Sequence, residues 1–289
     1  MRYSISAPAK INLFLDVLSK HENGYHDIKS VMQSVSLSDE ITISVEKSLK
    51  TEINLSGTNK EIAWNESNLA YKACAMFIDE AGLDGFLFNI HVEKKIPIKA
   101  GMGGGSADAA ATLKLLNDIF DKPFTNERLC QIGARLGADV AFCIIGGTCL
   151  CEGFGDKLTP VTSLANVPLV CAIGSSSIST PEAYEMVDRH YGTDCGAGAS
   201  IYDFLTSIKA EDLNGICSKL YNKFEGVISS VLPEVEHIKD ILIKNGAIGA
   251  LMSGSGPSVF GVFDSEKAQL GAFSALTDAG FDAFLCKTL

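Results

Sequence analysis

The fold of this chain is decided by the stretch Pro97-Ile98-Lys99-Ala100-Gly101-Met102-Gly103-Gly104-Gly105-Ser106-Ala107-Asp108-Ala109-Ala110-Ala111, which holds four glycines in five consecutive positions. Glycines at this density let the backbone turn sharply and approach a ligand closely. Ser106 suits the N-cap of a following helix, and Asp108 suits its positive first turn. We therefore predict a loop that opens a helix, which is a ready anion site because free N–H groups and the helix dipole point at the ligand.

A basic run, Lys94-Lys95-Ile96-Pro97-Ile98-Lys99, precedes the glycines and is unusual in a chain of net charge −11. Lysines beside such a loop add to its attraction for phosphate. A P-loop requires a lysine directly after its last glycine, and no lysine follows the glycines here. Ser106 stands where a dinucleotide-binding fingerprint that begins at Gly101 needs a glycine. The alternative is a tight turn into a buried helix, but four glycines exceed what a turn needs.

Composition limits the classes of function. The 289 residues suffice for one large domain or two modest ones, and 46% hydrophobic with 20% charged residues are typical of a globular protein. The acidic balance argues against a nucleic-acid or anionic-membrane partner. No apolar run reaches the ~20 residues of a membrane span. We expect a cytoplasmic protein without a signal peptide.

The cysteines argue for a reducing compartment. Nine cysteines at irregular spacing predict reduced, buried thiols rather than a disulfide framework. Cys149-Leu150-Cys151 lacks the second ligand pair of a zinc site. No resident metal site is therefore predicted.

Hydrophobic periodicity predicts strands that alternate with helices, and so an α+β chain. Two short strands, at 3–7 and 11–18, flank Pro8-Ala9-Lys10, and a domain boundary is predicted near Thr159-Pro160. The other main elements predicted are strands at 40–46, 86–92 and 167–173, helices at 68–81, 125–136, 201–208, 211–219 and 234–244, helices that begin after the glycine loop and at Thr180, a hairpin of 248–252 with 258–263, a helix at 265–279 and a strand at 282–286.

Two charged residues lie among apolar neighbours. Lys10 is a lysine between apolar strands, and the usual fate of such a residue is to extend to the solvent from a strand edge. Asp139 opens the apolar run 140–145, and carboxylates are seldom buried without a partner. Asp139 is therefore either a helix N-cap or a site residue.

Four polar or aromatic residues stand at predicted turns and helix starts. Asn68 suits the start of a helix, and Thr180, followed by a proline, is the predicted N-cap of another. Tyr25 and His26 follow an Asn-Gly turn, where they fit surface positions at least as well as ligand contacts.

Three motifs in this order resemble the GHMP kinase superfamily, which includes galactokinase, homoserine kinase and mevalonate kinase. They are Pro8-Ala9-Lys10-Ile11-Asn12-Leu13, the glycine loop, and Ser253-Gly254-Ser255-Gly256-Pro257-Ser258-Val259-Phe260. The resemblance covers nearly the whole chain. It implies a two-domain α+β fold, with an N-terminal α/β nucleotide-binding domain over 1–160 and a C-terminal ferredoxin-like α+β sandwich over 161–289.

The resemblance also implies an ATP-dependent small-molecule kinase that uses Mg²⁺. Within the superfamily, the block Gly24-Tyr25-His26 resembles a substrate-binding element found in kinases of the non-mevalonate isoprenoid pathway. This resemblance implies that the acceptor substrate is a cytidine diphosphate-linked methylerythritol, which is phosphorylated on its 2-hydroxyl. Lys10 and Asp139 would be catalytic. Residues implied for nucleotide binding are Asn68, Lys94, Pro97, Ala100, Gly101, Met102, Gly103, Gly104, Gly105, Ser106 and Ala107. Residues implied for acceptor binding are Asn12, Tyr25, His26, Thr180 and Tyr184.

Alternatives remain at this point. A homoserine- or mevalonate-type kinase would share the chemistry but would not be expected to carry Gly24-Tyr25-His26. A non-catalytic regulator would be expected to lack Lys10, Asp139 or the loop, and all are present. A hydrolase lacks its Gly-x-Ser-x-Gly elbow. The superfamily often has a second serine where Ala107 stands, so Ser106 alone is expected near a Mg²⁺-phosphate group. We expect a monomer or a weak homodimer.

Overall fold

Alternating strands and helices run through a computed structural model that describes every residue from Met1 to Leu289. The strands are β1 (Arg2–Lys20), β2 (His26–Lys47), β3 (Glu52–Gly57), β4 (Phe86–Glu93), β5 (Thr148–Gly153), β6 (Lys157–Pro160), β7 (Pro168–Ile173), β8 (Tyr221–Asn222), β9 (Gly249–Met252), β10 (Val259–Val262) and β11 (Asp282–Lys287). The helices are α1 (Leu69–Ala81), α2 (Gly104–Ile119), α3 (Asn126–Ala134), α4 (Ala138–Ile145), α5 (Thr180–Tyr191), α6 (Ile201–Lys209), α7 (Leu213–Cys217), α8 (Glu225–Ile228), α9 (Glu234–Lys244) and α10 (Glu266–Asp278). The predicted α+β class is confirmed.

The chain divides into two compact units whose segments are interleaved along the sequence. The first unit comprises Met1–Ala9, Ser38–Pro97 and Gly103–Gly146, and the second comprises Lys10–Leu37, Ile98–Met102 and Gly147–Leu289. The long strands β1 and β2 contribute residues to both. The sequential domain boundary near 160 remains a prediction.

The first unit buries one face of a small sheet under helices. Glu40–Lys47 of β2 pair antiparallel with β4, and β3 pairs parallel with β4. The predicted alternation is present, since Ile41 and Ile43 are buried and their neighbours are less so. Helices α1, α2 and α4 pack together. An aromatic cluster completes this core, in which Phe77 and Phe120 have ring centroids 6.1 Å apart and Phe120 lies 5.6 Å from Phe86.

The second unit contains a four-stranded antiparallel sheet in the order β11-β7-β10-β9. Counted along this part of the chain, that order is 4-1-3-2, and the intervening helices make the β-α-β-β-α-β arrangement of a ferredoxin-like fold. Helices α9 and α10 contact each other and the sheet, so they cover one face of it. The predicted hairpin is confirmed, because β9 and β10 pair from Met252↔Val259 outward.

One strand prediction was wrong at its middle. β1 runs without a break through Pro8-Ala9-Lys10, where two separate strands were predicted. The proline does not interrupt it because the φ of proline and the extended conformation that it imposes on the preceding residue are both compatible with a strand. In the same unit as Lys10, the carbonyl of Met102 accepts the N–H of that lysine at 3.0 Å.

None of the ten helices is both long and apolar enough to cross a bilayer.

Candidate active site

The glycine loop opens α2 earlier than predicted. The helix begins at Gly104, and its N-cap is Gly103, whose φ of 70° is left-handed. Glycine takes this conformation without steric cost, so the chain turns into the helix at once. Ser106 is therefore the third helical residue and not the N-cap, and Asp108 lies beyond the first turn. No side chain caps this helix start, so its first N–H groups point out of the helix without an intrahelical acceptor.

Asp108 instead belongs to a buried charge cluster with Lys94 and Asp39. The Nζ of Lys94 donates to Asp108 Oδ2 at 2.8 Å and makes a short contact with the carboxylate of Asp39. Asp39 Oδ1 accepts the N–H groups of Lys95 at 2.6 Å and Ile96 at 2.8 Å. Burial, together with the nearby Asp39, raises the pKa of Asp108 to about 7, although Lys94 opposes this shift. The ammonium of Lys94, predicted to attract phosphate, is thus engaged inside the first unit.

In the second unit the start of the glycine loop packs directly on the third motif. A Cβ on Gly101 would lie 2.4 Å from the carbonyl oxygen of Ser253, and one on Gly254 would lie 2.9 Å from the carbonyl oxygen of Gly101. Gly101 and Gly254 also have φ values of 72° and 58°. The N–H of Ser258 donates to the carbonyl of Ala100 at 3.3 Å. The glycines of the two motifs are therefore required by their mutual backbone contact.

Lys10 is held inside the second unit by a chain of hydrogen bonds. Its Nζ donates to Asn12 Oδ1 at 2.8 Å, Asn12 Nδ2 donates to Ser30 Oγ at 2.8 Å, and Ser30 Oγ donates to the carbonyl of Phe14 at 2.7 Å. Lys10, Asn12 and Ser30 are all buried, and Lys10 is only 5% exposed. The alternative in which Lys10 extends to the solvent from a strand edge is therefore wrong. Sequence reasoning missed Ser30, which lies on β2 and fixes the amide of Asn12.

Asp139 lies in the first turn of α4. The N-cap of this helix is Gly137, and no side chain caps it, so the N-cap alternative for Asp139 is wrong. The residue is half-buried, and the apolar neighbours Val140 and Ile144 anchor the helix. A Cβ on Gly133 of α3 would lie 2.9 Å from both of their side chains, so this glycine permits the close packing of α3 and α4. A carboxylate at this position is stabilised by the positive end of the helix dipole.

A second cluster surrounds His26. Its Nε2 lies 2.7 Å from Asp188 Oδ1, and its ring stacks on Tyr184 with centroids 4.7 Å apart. Lys20 Nζ lies 2.6 Å from Asp188 Oδ2. Burial would raise the pKa of Asp188, but the hydrogen bonds from Lys20 and His26 outweigh it and hold that pKa below its ordinary value. His26 is buried and is therefore no surface decoration, whereas Tyr25 is 66% exposed.

Sequence reasoning missed Asp188, although a signal for it exists. Asp188 follows Tyr184 by four positions on α5, and residues at this spacing share one face of a helix. It also missed Phe154, whose ring meets that of Tyr25 edge-on at 5.9 Å.

Two predicted helix caps had different outcomes. Asn68 is the N-cap of α1, and its Oδ1 accepts the N–H of Ala70 at 2.9 Å, so the structural alternative for this residue is confirmed. Thr180 is not the cap of α5. Ser179 caps this helix in a capping box with Glu182, and Thr180 Oγ1 instead lies 3.0 Å from Ser255 Oγ of the third motif. Either hydroxyl can cap a helix, and the extended backbone of Ser179 decides between them.

The remaining loop residues contribute backbone more than side chain. Ala100, Met102 and Ala107 are buried, Pro97 is half-buried, and Gly105 is exposed. Ser106, half-buried at the start of α2, carries the hydroxyl nearest to the uncapped N–H groups in sequence. No group of three or more His, Cys, Asp or Glu side chains is arranged to hold a metal ion.

Comparison with known families defines the class of this protein. The model of the GHMP kinase N-terminal domain matches residues 68–147, and that of the GHMP kinase C-terminal domain matches residues 204–282. A solved homoserine kinase from Cytophaga hutchinsonii, 18% identical, shares the fold with a TM-score of 0.77 over 100% of this chain and 97% of its own. Fold and motifs therefore define a GHMP kinase.

More similar relatives narrow the class. A 4-diphosphocytidyl-2-C-methyl-D-erythritol kinase from Lachnoclostridium phytofermentans is 41% identical over 93% of this chain and 91% of its own. A crystal structure of a 4-(cytidine 5'-diphospho)-2C-methyl-D-erythritol kinase matches with a TM-score of 0.82 and 29% identity over 99% of both chains. The chain belongs to the 4-diphosphocytidyl-2-C-methyl-D-erythritol kinase family of the GHMP kinases.

Proposed function

We propose that this protein transfers the γ-phosphoryl group of ATP to the 2-hydroxyl of 4-diphosphocytidyl-2-C-methyl-D-erythritol, in isoprenoid precursor biosynthesis. Family membership over nearly the whole chain supports this assignment. The single observation that carries the choice of acceptor is the buried His26, fixed by Asp188 and stacked on Tyr184. Homoserine and mevalonate carry no pyrimidine ring, so a kinase that phosphorylates either of them needs no site for one.

The polar edge of a cytosine fits the tautomer that this arrangement favours. A carboxylate only accepts hydrogen bonds, so Asp188 requires a proton on Nε2 of His26. In a neutral imidazole the other nitrogen, Nδ1, then accepts. The exocyclic amine of cytosine is a donor and is proposed to bind there. Tyr25 is sufficiently exposed to stack on the base, while Thr180 and Asn12 are proposed to contact the rest of the acceptor.

The glycine loop is proposed to bind the triphosphate. The uncapped N–H groups at the start of α2 fit an anion, and the buried Ala107 and Met102 leave the backbone to make the contacts. Ser106 is proposed to hold the Mg²⁺-phosphate group with its hydroxyl. Mg²⁺, when bound, neutralises charge on the β- and γ-phosphates.

Lys10 and Asp139 are proposed to act on the transferring group. The carboxylate of Asp139 takes the proton of the 2-hydroxyl, while the hydroxyl oxygen bonds to the γ-phosphorus and the bond from that phosphorus to the β,γ-bridging oxygen breaks to release ADP. The ammonium of Lys10, oriented by Asn12 and Ser30, attracts the negative charge of the moving group. Both roles need positioning rather than covalent participation of the protein.

The experiment compares Asp139→Asn and Lys10→Ala with the wild-type enzyme. A positioned base contributes about 10²–10⁴-fold in rate, so we expect turnover to fall by that order while the dissociation constants of both substrates, measured by calorimetry, change little. Asp118→Asn and Lys244→Ala, at exposed helix positions outside the proposed site, serve as matched controls and should behave as wild type. Near wild-type turnover in either site variant would remove that residue from the proposed mechanism.

A further inference from the structure

The segment 222–225 begins in β8, the neighbour of β1, and holds the third motif by its backbone. Asn222 is buried, and its Nδ2 donates to the carbonyls of Met252 at 2.7 Å and Gly254 at 2.8 Å. Its Oδ1 accepts the N–H of Phe224 at 3.0 Å. Both donors of the amide are thus used inside the protein, so Asn222 does not itself bind a substrate.

The charged residues of this segment keep Asn222 in place. Glu225 Oε2 accepts the N–H of Met252 at 2.7 Å, so the segment holds Met252 by both its N–H and its carbonyl. Lys223 forms a buried ion pair with Asp16 of β1, with its Nζ 2.8 Å from Oδ1 of the aspartate. A buried pair of this kind separates only at the cost of an uncompensated charge, so it fixes the segment to β1. The segment therefore connects β1 to the residue that precedes the third motif.

Gly254 lies beside the ammonium of Lys10 and the backbone of the glycine loop. A Cβ on Gly254 would be 3.4 Å from Nζ of Lys10 and 2.9 Å from the carbonyl oxygen of Gly101. The same Nζ donates to Asn12 Oδ1 at 2.8 Å. Lys10 itself lies on β1, to which the segment 222–225 is fixed. A shift of Gly254 relative to β1 would therefore change the space that the ammonium occupies.

We propose that Asn222 is a positioning residue for phosphoryl transfer, which sets the ammonium of Lys10 by fixing the backbone of Gly254. Electrostatic stabilisation of a transition state requires the charge to be in place before the reaction, and a misplacement of about 1 Å costs about 10²-fold in rate. Without the amide of Asn222, two carbonyls lose their donor, and the backbone at Gly254 has to relax to find another. This inference rests on the proposed function, since it requires that Lys10 acts on the transferring group.

The test compares Asn222→Ala with a matched control in the other unit. Asn117 is also a buried asparagine, and its amide accepts the N–H and donates to the carbonyl of Phe124, both at 3.0 Å. We expect Asn222→Ala and Asn117→Ala to lower the thermal midpoint by similar amounts, and only Asn222→Ala to lower kcat, by about 10²-fold. The dissociation constant of the acceptor, measured by calorimetry, should be unchanged in both. Asn222→Ser keeps a hydroxyl donor and should lose less kcat, which preserves the test if the alanine variant does not fold.

A double-mutant cycle with Lys10→Ala distinguishes positioning from a general structural role. If Asn222 acts through Lys10, adding Asn222→Ala to Lys10→Ala should change the single-turnover rate by no more than about twofold. A further loss of about 10²-fold in the double variant would overturn the inference, because the two residues would then act independently. Unchanged kcat in folded Asn222→Ala would also overturn it and leave the kinase assignment intact. Failure of the wild type to phosphorylate the cytidyl acceptor would contradict the proposed function, and this inference with it.

Discussion

Lys94 lies between two buried carboxylates, and one positive charge cannot neutralise both. Asp39 also accepts two backbone N–H groups, whereas Asp108 Oδ1 is buried without a hydrogen-bond partner. Asp108 is therefore the carboxyl that retains a proton, in agreement with its pKa of about 7. The cluster joins the end of β4, through Lys94, to the second turn of α2, and so supports the residues just before and just after the loop.

This cluster predicts a pH dependence of stability. The folded chain keeps a proton on Asp108 that the unfolded chain, with a pKa near 3.8, releases. The stabilisation due to this group is complete below pH 3.8 and is lost as the pH rises through about 7. Asp108→Asn remains neutral at every pH. The free energy of unfolding of both proteins is measured with denaturant at a series of pH values. As the pH rises from 3.8 to about 7, the wild type should lose stability relative to Asp108→Asn. A difference between the two proteins that does not change with pH would contradict the assignment of the proton to Asp108.

Tyr25 offers a cleaner test of base stacking than Tyr184. Because Tyr184 supports the ring of His26, its removal would disturb two groups, whereas Tyr25 is largely exposed. We expect Tyr25→Ala to raise the acceptor KM by about ten- to a hundredfold and to leave the KM for ATP nearly unchanged. Tyr202→Ala, another exposed tyrosine, is the control. Equal effects of Tyr25→Ala on both substrates would indicate general damage.

Helix α5 carries Tyr184 and Asp188, so its capping box should connect local stability to the proposed acceptor site. The N–H of Glu182 donates to Ser179 Oγ at 3.4 Å, and Glu182 accepts the N–H of Ser179 at 3.0 Å. Ser179→Ala should cost about 0.5–2 kcal/mol of stability and raise the acceptor KM through fraying of the helix. Ser265→Ala removes an equivalent cap from α10 and should cost a similar amount of stability with no change in KM. Identical KM values in both variants would contradict this coupling.

The contact between the glycine loop and the third motif predicts a severe effect of a single methyl group. Gly101→Ala places a Cβ 2.4 Å from the carbonyl oxygen of Ser253 at a φ of 72°. The backbones must separate, so we expect nucleotide affinity to fall sharply and stability to fall by about 1–3 kcal/mol. Gly271→Ala, on an exposed face of α10 where a Cβ meets nothing within 4 Å, should instead stabilise by about 1 kcal/mol. A folded Gly101→Ala protein with unchanged ATP affinity would refute the contact as a binding determinant.

Sequence patterns predicted most elements because their signals are local. The hairpin around Gly254 and Gly256, the helix over 234–244 and the loop that opens α2 were all predicted, and each depends on periodicity or turn residues within a short window. Cap positions were less secure. Gly103 caps α2 and not Ser106, because a left-handed backbone, which the sequence permits but does not require, decides where the helix begins.

At the scale of the whole molecule, contacts distant in sequence could not be predicted. Asp39 meets Lys94 across 55 positions, and His26 meets Asp188 across 162, with no local pattern to indicate either pair. The interleaving of the two units could not be predicted from the sequence either, because it arises from β1 and β2, each of which is long enough to contribute residues to both units. The roles proposed for Lys10 and Asp139 rest on motif resemblance, since a lysine and an aspartate among apolar residues fit several structures.

The central claim concerns which acceptor the enzyme phosphorylates. The most direct measurement is kcat/KM for 4-diphosphocytidyl-2-C-methyl-D-erythritol, homoserine and mevalonate, each with ATP and Mg²⁺ and the purified protein. A site built to hydrogen-bond a polar base rejects ligands that lack it by about 10⁴-fold or more, so we predict a preference of that order for the cytidyl substrate. A kcat/KM for homoserine or mevalonate equal to or above that for the cytidyl substrate would contradict the account.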